Sequence, residues 1–146
     1  HGYSLNNNNL KVLCQVLHDY DIPLFVSLRM EDQRLNYLVK PENIKVDDIK
    51  SFLDNKHENK IIILTALFQE LMKLTEVINS HKHVKFDTFS LKGQLFTIEK
   101  LLEEFPPEKM VYGSLYPLFT FSSTYLAIKN AEVEDSVKQE ILSYQW

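Results

Sequence analysis

The sequence predicts an all-α protein: extended or loosely bundled amphipathic helices, including one long coiled-coil-like helix. Apolar residues recur every three or four positions in several segments, which is the helical period. Only three glycines occur in 146 residues, whereas all-β folds need many tight turns. A hydrophobic content of 45% with 25% charged residues is typical of a chain that buries a core. Together these features favour helices over strands or disorder.

The first third of the chain contains three predicted helices. The first covers residues 5–20, with Cys14 on its apolar face as a small core residue and not a nucleophile. Residues 24–39 predict a second helix, although residues 25–28 also fit a short strand. Asp47 and Asp48 suit the start of a third, short helix because carboxylates stabilise the positive end of the helix dipole. Its expected inward side chains are Ile49, Phe52 and Leu53.

The longest predicted helix covers residues 58–80. Its apolar residues alternate spacings of three and four, as in the seam of a coiled coil, which buries a narrow stripe against a partner. The stripe predicts a partner-binding surface formed by Ile61, Leu64, Phe68, Leu71 and Ile78.

Three more helices are predicted after this one. They cover residues 87–105, which Asp87 can cap and Pro106 ends, residues 114–129 with Pro117 in the first turn, and residues 134–145. The predicted organisation is an N-terminal helical segment, residues 1–56, followed by the long helix and the start of a helical scaffold domain, residues 57–146.

Charge and cysteine content bear on the partners and the compartment. The net charge is −4 and the basic residues are scattered, so little direct nucleic-acid contact and no binding to an anionic membrane surface are expected. No stretch approaches the roughly 20 apolar residues of a membrane span. A single cysteine excludes an internal disulfide and suits a reducing compartment.

No catalytic, cofactor-binding or metal-binding residue is predicted. His81 and His83 are two positions apart, so on a helix they point in different directions, and they are interpreted as solvated. The carboxylates fall at helix ends, where charge–dipole interactions explain them. The run Ser122 to Thr124 lacks the glycine-flanked turn of a nucleophilic serine. The chain is therefore predicted not to be an enzyme.

Four segments, in this order, carry a resemblance to a known family. They read NLKVLCQVLHDYDI (residues 9–22), LMKLTEVINS (71–80), LKGQLFTIEKLLEE followed by YPL (91–104 and 116–118), and EILSYQW (140–146). They are similar to the helical region after the G-patch in the splicing factors that include the tuftelin-interacting protein and its yeast counterpart in spliceosome disassembly. Gly113 and Ser114 interrupt the apolar run of that family's pattern, and the G-patch itself is absent.

The resemblance implies a nuclear, non-catalytic scaffold. In that family the scaffold brings a DEAH-box RNA helicase to the intron-lariat spliceosome, the G-patch stimulates the helicase, and this region would dock on spliceosomal proteins. Two alternatives are a helical subunit of another assembly, such as a vesicle tether or kinetochore complex, and a small helical enzyme or ligand-binding bundle. The last alternative requires polar groups that converge on a cavity.

Overall fold

A computed structural model describes residues 4–5, 7–29, 42–55, 58–91, 95–117 and 119–143. Within these ranges the chain is an α/β structure with a four-stranded sheet, so the all-α prediction is wrong. The strands are Leu24–Ser27 (β1), Ile61–Leu64 (β2), Val84–Asp87 (β3) and Met110–Val111 (β4). The helices are Asn8–Asp19 (α1), Val46–Asp54 (α2), Phe68–Ser80 (α3), Thr97–Leu102 (α4), Phe121–Lys129 (α5) and Asp135–Leu142 (α6).

The strands lie in the sheet in the order in which they occur in the chain, and all neighbours are parallel. Leu24 pairs with Ile61, and Ile61 pairs with Val84. A tight turn cannot join parallel neighbours, so each connection crosses over the sheet. Helices α2, α3 and α4 lie in the three connections, in that order. The carboxyl ends of all four strands therefore lie at one edge of the sheet.

The predicted helix 58–80 is a strand followed by a helix. Ile61, Ile62 and Ile63 are all buried, as expected of a parallel strand that is covered on both faces. A run of consecutive apolar residues is compatible with the period of a helix and with that of a strand. The apolar residues of β2 therefore fitted the spacing of three and four that predicted the helix. The chain turns at Thr65, whose φ is 60°, and α3 begins at Phe68. No coiled-coil-like helix therefore spans residues 58–80.

Residues 24–27 form β1, so the helix predicted over 24–39 is wrong for these residues. The alternative, a short strand over 25–28, is correct apart from a shift of one residue. Val26 and Leu28 are buried, which matches a period of two. The remainder of that predicted helix, residues 30–41, lies outside the described residues.

The predicted helix 87–105 also breaks into shorter elements. Residues 84–87 form β3, Phe89–Leu91 form one 3₁₀ turn, and only Thr97–Leu102 form an α-helix. A second 3₁₀ turn, Pro107–Lys109, leads into β4. Strands of four and two residues are too short to show a period of their own, so the apolar positions were assigned to helices.

Four other helices are confirmed, with shifted ends. Helices α1 and α6 lie inside the predicted ranges 5–20 and 134–145. Helix α2 buries Ile49, Phe52 and Leu53 as predicted. Helix α5 begins only at Phe121, because residues 114–117 form a loop that contains the cis peptide bond Tyr116–Pro117.

The core lies between one face of the sheet and the helices. Ile61, Ile63 and Phe86 contribute from the strands, and Leu71 and Leu74 from α3. The Phe86 and Phe105 rings meet edge to face, with centroids 4.9 Å apart. Because β1 pairs with β2, residues on both sides of the proposed boundary at 56 and 57 share one sheet.

Candidate functional site

Polar side chains gather at the carboxyl edge of the sheet. Ser27 ends β1, Thr65 follows β2, Asp87 ends β3, and Gly113 lies two residues after β4. In open α/β sheets this edge is where ligands bind, because the loops that follow the strands converge there.

Asp87 is the centre of this cluster. Its side chain is buried, with 5% of the residue exposed. Oδ1 accepts a hydrogen bond from the Thr65 backbone N–H at 2.9 Å, and the Phe89 backbone donates a second bond to the carboxylate. Burial raises the pKa of Asp87 from 3.8 to about 6, against the lowering effect of these two hydrogen bonds. The group can therefore gain and lose a proton near neutral pH.

Gly113 brings the end of β4 against the same carboxylate. A methyl group at Gly113 would lie 2.7 Å from Asp87 Oδ2 and 2.9 Å from Asp87 Cβ, which is too close for any side chain. The Gly113 N–H donates to Thr88 Oγ1 at 3.2 Å, and the Thr88 N–H donates to the Val111 carbonyl at 3.0 Å. A single buried carboxylate thus contacts the ends of β2, β3 and β4.

Arg29 extends the cluster beyond β1. Its Nη2 lies 2.6 Å from Glu70 Oε1, and its Nη1 donates to the Thr65 carbonyl. The Arg29 backbone N–H donates to Thr65 Oγ1 at 3.2 Å. Thr65 therefore touches Asp87 through its N–H and Arg29 through its carbonyl and hydroxyl. The buried Arg29 Nε–H has no partner among the described residues.

Glu70 positions Arg29 and also caps α3. Its Oε2 accepts from the Leu67 backbone N–H at 2.8 Å, which satisfies a free amide at the start of the helix. The side chains of Arg29 and Glu70 are 9% and 22% exposed, so solvent screens this ion pair only partly.

A cavity of about 390 Å³ lies beside the cluster, between residues of α4 and α5. Thr88, next to Asp87, is one of its walls. The lining is mainly apolar, with the hydroxyls of Thr97 and Thr124 and the carboxylates of Glu99 and Glu132. Glu99 Oε1 accepts from the Glu132 backbone N–H at 2.7 Å, which ties α4 to the segment after α5.

Across the described ranges, no group of three or more His, Cys, Asp and Glu side chains could hold a metal ion. Among the helices in those ranges, none has the length and the apolar character needed to cross a membrane.

The predicted partner-binding residues do not form one exposed stripe. Ile61, Leu71 and Ile78 are buried in the core of this chain, and Leu64 and Phe68 are partly buried. Their spacing reflects contacts between the sheet and α3, because the first two positions belong to β2 and the last three to α3.

Sequence reasoning missed the cluster at the sheet edge. Asp87 was assigned to the cap of a helix, and neither Arg29 nor Thr65 was assigned a role. The available signal was local: Val84 and Phe86 alternate with polar residues before Asp87, and an isoleucine run ends at Thr65. Each is the pattern of a strand followed by a polar loop.

The comparisons with known proteins concern the fold. No family model and no curated protein matches the sequence. A solved structure, 2,6-dihydroxybenzoate decarboxylase complexed with 2,6-dihydroxybenzoate, matches with a TM-score of 0.62 at 12% identity. The match covers 94% of this chain and 53% of that chain, so this chain spans about half the length of its structural neighbour.

The neighbour is an enzyme by its name, whereas the sequence of this chain predicts no catalytic role. At 12% identity the likeness shows the fold alone. The chain has the α/β architecture of about half of a TIM-barrel-like protein.

Proposed function

We propose that this chain forms part of the active site of a barrel-type enzyme that acts on a small organic anion, with Asp87 as the group that transfers a proton. The observation that carries the proposal is the buried Asp87 carboxyl at the carboxyl edge of the sheet, whose pKa of about 6 suits proton transfer near neutral pH.

The position of Asp87 supports this role. Phe86 packs in the core with the helices, so the next residue, Asp87, points to the opposite face of the sheet. In a closed barrel that face is the inside, and the active sites of TIM-barrel enzymes lie at the carboxyl ends of the strands. Arg29, which donates to the Thr65 carbonyl and pairs with Glu70, places a guanidinium group at the same edge.

The substrate class that we propose is a hydroxylated aromatic carboxylate, the kind of molecule bound to the structural neighbour. In its decarboxylation the bond between the ring carbon and the carboxylate carbon breaks, and carbon dioxide leaves. The ring carbon keeps the electron pair and takes the proton that Asp87 supplies, and solvent then returns a proton to Asp87. The reaction needs no oxidant or reductant.

The test uses the natural polypeptide that contains this chain, incubated with 2,6-dihydroxybenzoate and its dihydroxybenzoate isomers, with chromatography to detect the decarboxylated phenols. We expect Asp87→Asn to lower kcat/KM by about 100-fold or more, because an amide cannot transfer the proton. The wild-type rate should fall as the pH rises through about 6, where Asp87 loses its proton.

Asp135→Asn is the matched control, since Asp135 is an exposed carboxylate at the start of α6. Circular dichroism checks that both variants are folded. Full activity of Asp87→Asn would contradict the proposal. So would the absence of turnover combined with unchanged NMR signals of the Thr88 and Gly113 amides when these compounds are added.

The docking role in spliceosome disassembly stays a prediction from the resemblance, and no finding bears on it. That role assumed an all-helical scaffold with an exposed apolar seam, whereas the described residues contain a four-stranded sheet. We therefore rank it below the active-site proposal.

A further inference from the structure

Thr65 has a backbone conformation that its side chain disfavours. Its φ is 60°, in the left-handed region, where a β-branched residue is an outlier and glycine is the usual choice. The residue is buried, with 2% exposed. Such strain persists only where the surrounding structure holds it, and it concentrates at functional sites. The contacts of Thr65 therefore show what holds the strained turn and what the turn positions.

The side chain and the carbonyl of Thr65 are bonded to the end of β1. The Arg29 backbone N–H donates to Thr65 Oγ1 at 3.2 Å, and Arg29 Nη1 donates to the Thr65 carbonyl. Ser27 Oγ lies 3.2 Å from Thr65 Oγ1, within hydrogen-bond distance. A glycine would form the turn without strain but would lack the hydroxyl. The threonine side chain therefore links the turn to β1.

The turn places the Thr65 backbone N–H on Asp87. Alternate amides of β2 face β3: the Ile61 N–H donates to the His83 carbonyl, and Thr65 lies four positions farther along the same row. Strand β2 ends at Leu64, and the Thr65 N–H donates to Asp87 Oδ1 at 2.9 Å. The next amide of this row therefore holds a carboxyl group and not the backbone of β3.

Glu70 fixes the orientation of Arg29. Its Oε1 lies 2.6 Å from Arg29 Nη2, and the Arg29 side chain is 9% exposed. Glu70 of α3 thus holds Arg29, and Arg29 holds Thr65. Among the described residues, burial and the amides of Thr65 and Phe89 set the pKa of Asp87, and no charged side chain contributes. Arg29 therefore acts on Asp87 through the position of Thr65.

We propose that Thr65 is a positioning residue of the candidate active site: its contacts with Arg29 and Ser27 hold the left-handed turn, and the turn keeps its N–H on the Asp87 carboxyl. The catalytic meaning of this contact rests on the proposed function, whereas the contact itself can be measured without substrate. A hydrogen bond to a carboxylate stabilises the charged form, so loss of the contact would raise the pKa of Asp87 still further.

NMR titration of the natural polypeptide that contains this chain tests the contact. We expect the Thr65 amide proton and the Asp87 carboxyl carbon to shift together, with a midpoint of about 6. The reason is that deprotonation of Asp87 strengthens the hydrogen bond that this amide donates. A Thr65 amide signal that stays constant through this pH range would overturn the proposal, and this measurement needs no variant.

Two substitutions that both remove the hydroxyl isolate the effect of the turn. Thr65→Val keeps the β-branched side chain without the contacts that hold the turn, so we expect the pKa of Asp87 to rise by about one pH unit or more. Thr65→Gly adopts the left-handed backbone without strain, so the pKa of Asp87 should stay within about 0.3 of the wild-type value.

Thr124→Val is the matched control. Thr124 is equally buried, with 2% exposed, and its hydroxyl bonds to the Phe121 carbonyl within α5 and to the Tyr112 hydroxyl. This substitution should leave the pKa of Asp87 unchanged. Circular dichroism checks that all three variants are folded.

Two results with the variants would overturn the proposal. One is an unchanged pKa of Asp87 in folded Thr65→Val. The other is an equal rise in Thr65→Val and Thr65→Gly, which would assign the effect to the hydroxyl and not to the turn. If Asp87→Asn keeps full activity while the Thr65 amide still titrates with Asp87, the proposed function fails and the Thr65 contact stands.

Discussion

Asp87 shows how one buried side chain can organise the end of a sheet. Its carboxyl accepts a hydrogen bond from Thr65, follows the last position of β3 and lies against Gly113. Removal from water disfavours the charged form, and the two backbone hydrogen bonds only partly offset this cost. The raised pKa has consequences for stability as well as for chemistry.

The pH dependence of stability should carry the signature of Asp87. The folded protein holds the proton more tightly than the unfolded chain, so the contribution is most favourable below pH 3.8 and is lost as the pH rises to about 6. A difference of about two pH units corresponds to about 3 kcal/mol. We expect the free energy of unfolding of the wild type, relative to Asp87→Asn, to fall by that amount between about pH 3 and pH 7.

Urea denaturation at several pH values measures this difference, and the subtraction removes the titration of the other groups. Parallel stability curves for the two proteins would show that Asp87 has an ordinary pKa.

Gly113 should tolerate no side chain while Asp87 is present. We expect Gly113→Ala to reduce the free energy of unfolding by about 1–3 kcal/mol, because the new methyl group overlaps Asp87 Oδ2. In the Asp87→Ala background the same change should cost less, since the carboxyl group is gone. A urea-denaturation double-mutant cycle gives both costs, and equal costs would refute the proposed overlap.

At the level of elements, one ion pair fastens α3 to the end of β1. Glu70 accepts from Arg29 with one oxygen and from the Leu67 N–H with the other, so one side chain both caps the helix and neutralises a buried guanidinium. Loss of Glu70 would leave the charge of Arg29 unpaired and a helix amide free.

We therefore expect Glu70→Ala to lower the free energy of unfolding by about 2–3 kcal/mol. Glu76→Ala on the exposed side of α3 is the control and should change it by less than about 0.5 kcal/mol. Equal losses in the two variants, measured by urea denaturation, would mean that the ion pair and cap contribute nothing beyond helix propensity.

At the level of the whole molecule, the four parallel strands lie in chain order, and the Tyr112 N–H beyond β4 donates to the Ile141 carbonyl of α6. The polar cluster lies at the carboxyl edge of the same sheet, where added strands would bring further loops. The cluster therefore depends on the pairing of the whole sheet, since its residues follow four different strands.

The helical period in the sequence correctly predicts the helices whose apolar stripe is uninterrupted. Helices α2 and α6 lie where the period of 3.6 predicts them. The sequence also determined that Cys14 lies in the core.

Which apolar runs form strands depends on contacts between residues far apart in the chain. Ile61 to Ile63 are buried on both faces, so they carry no period of two, and the short strands β3 and β4 form because their neighbours supply hydrogen bonds. The cluster around Asp87 forms because these strands pair side by side. Parallel pairing brings together residues that lie 22 positions or more apart, and no local pattern encodes that proximity.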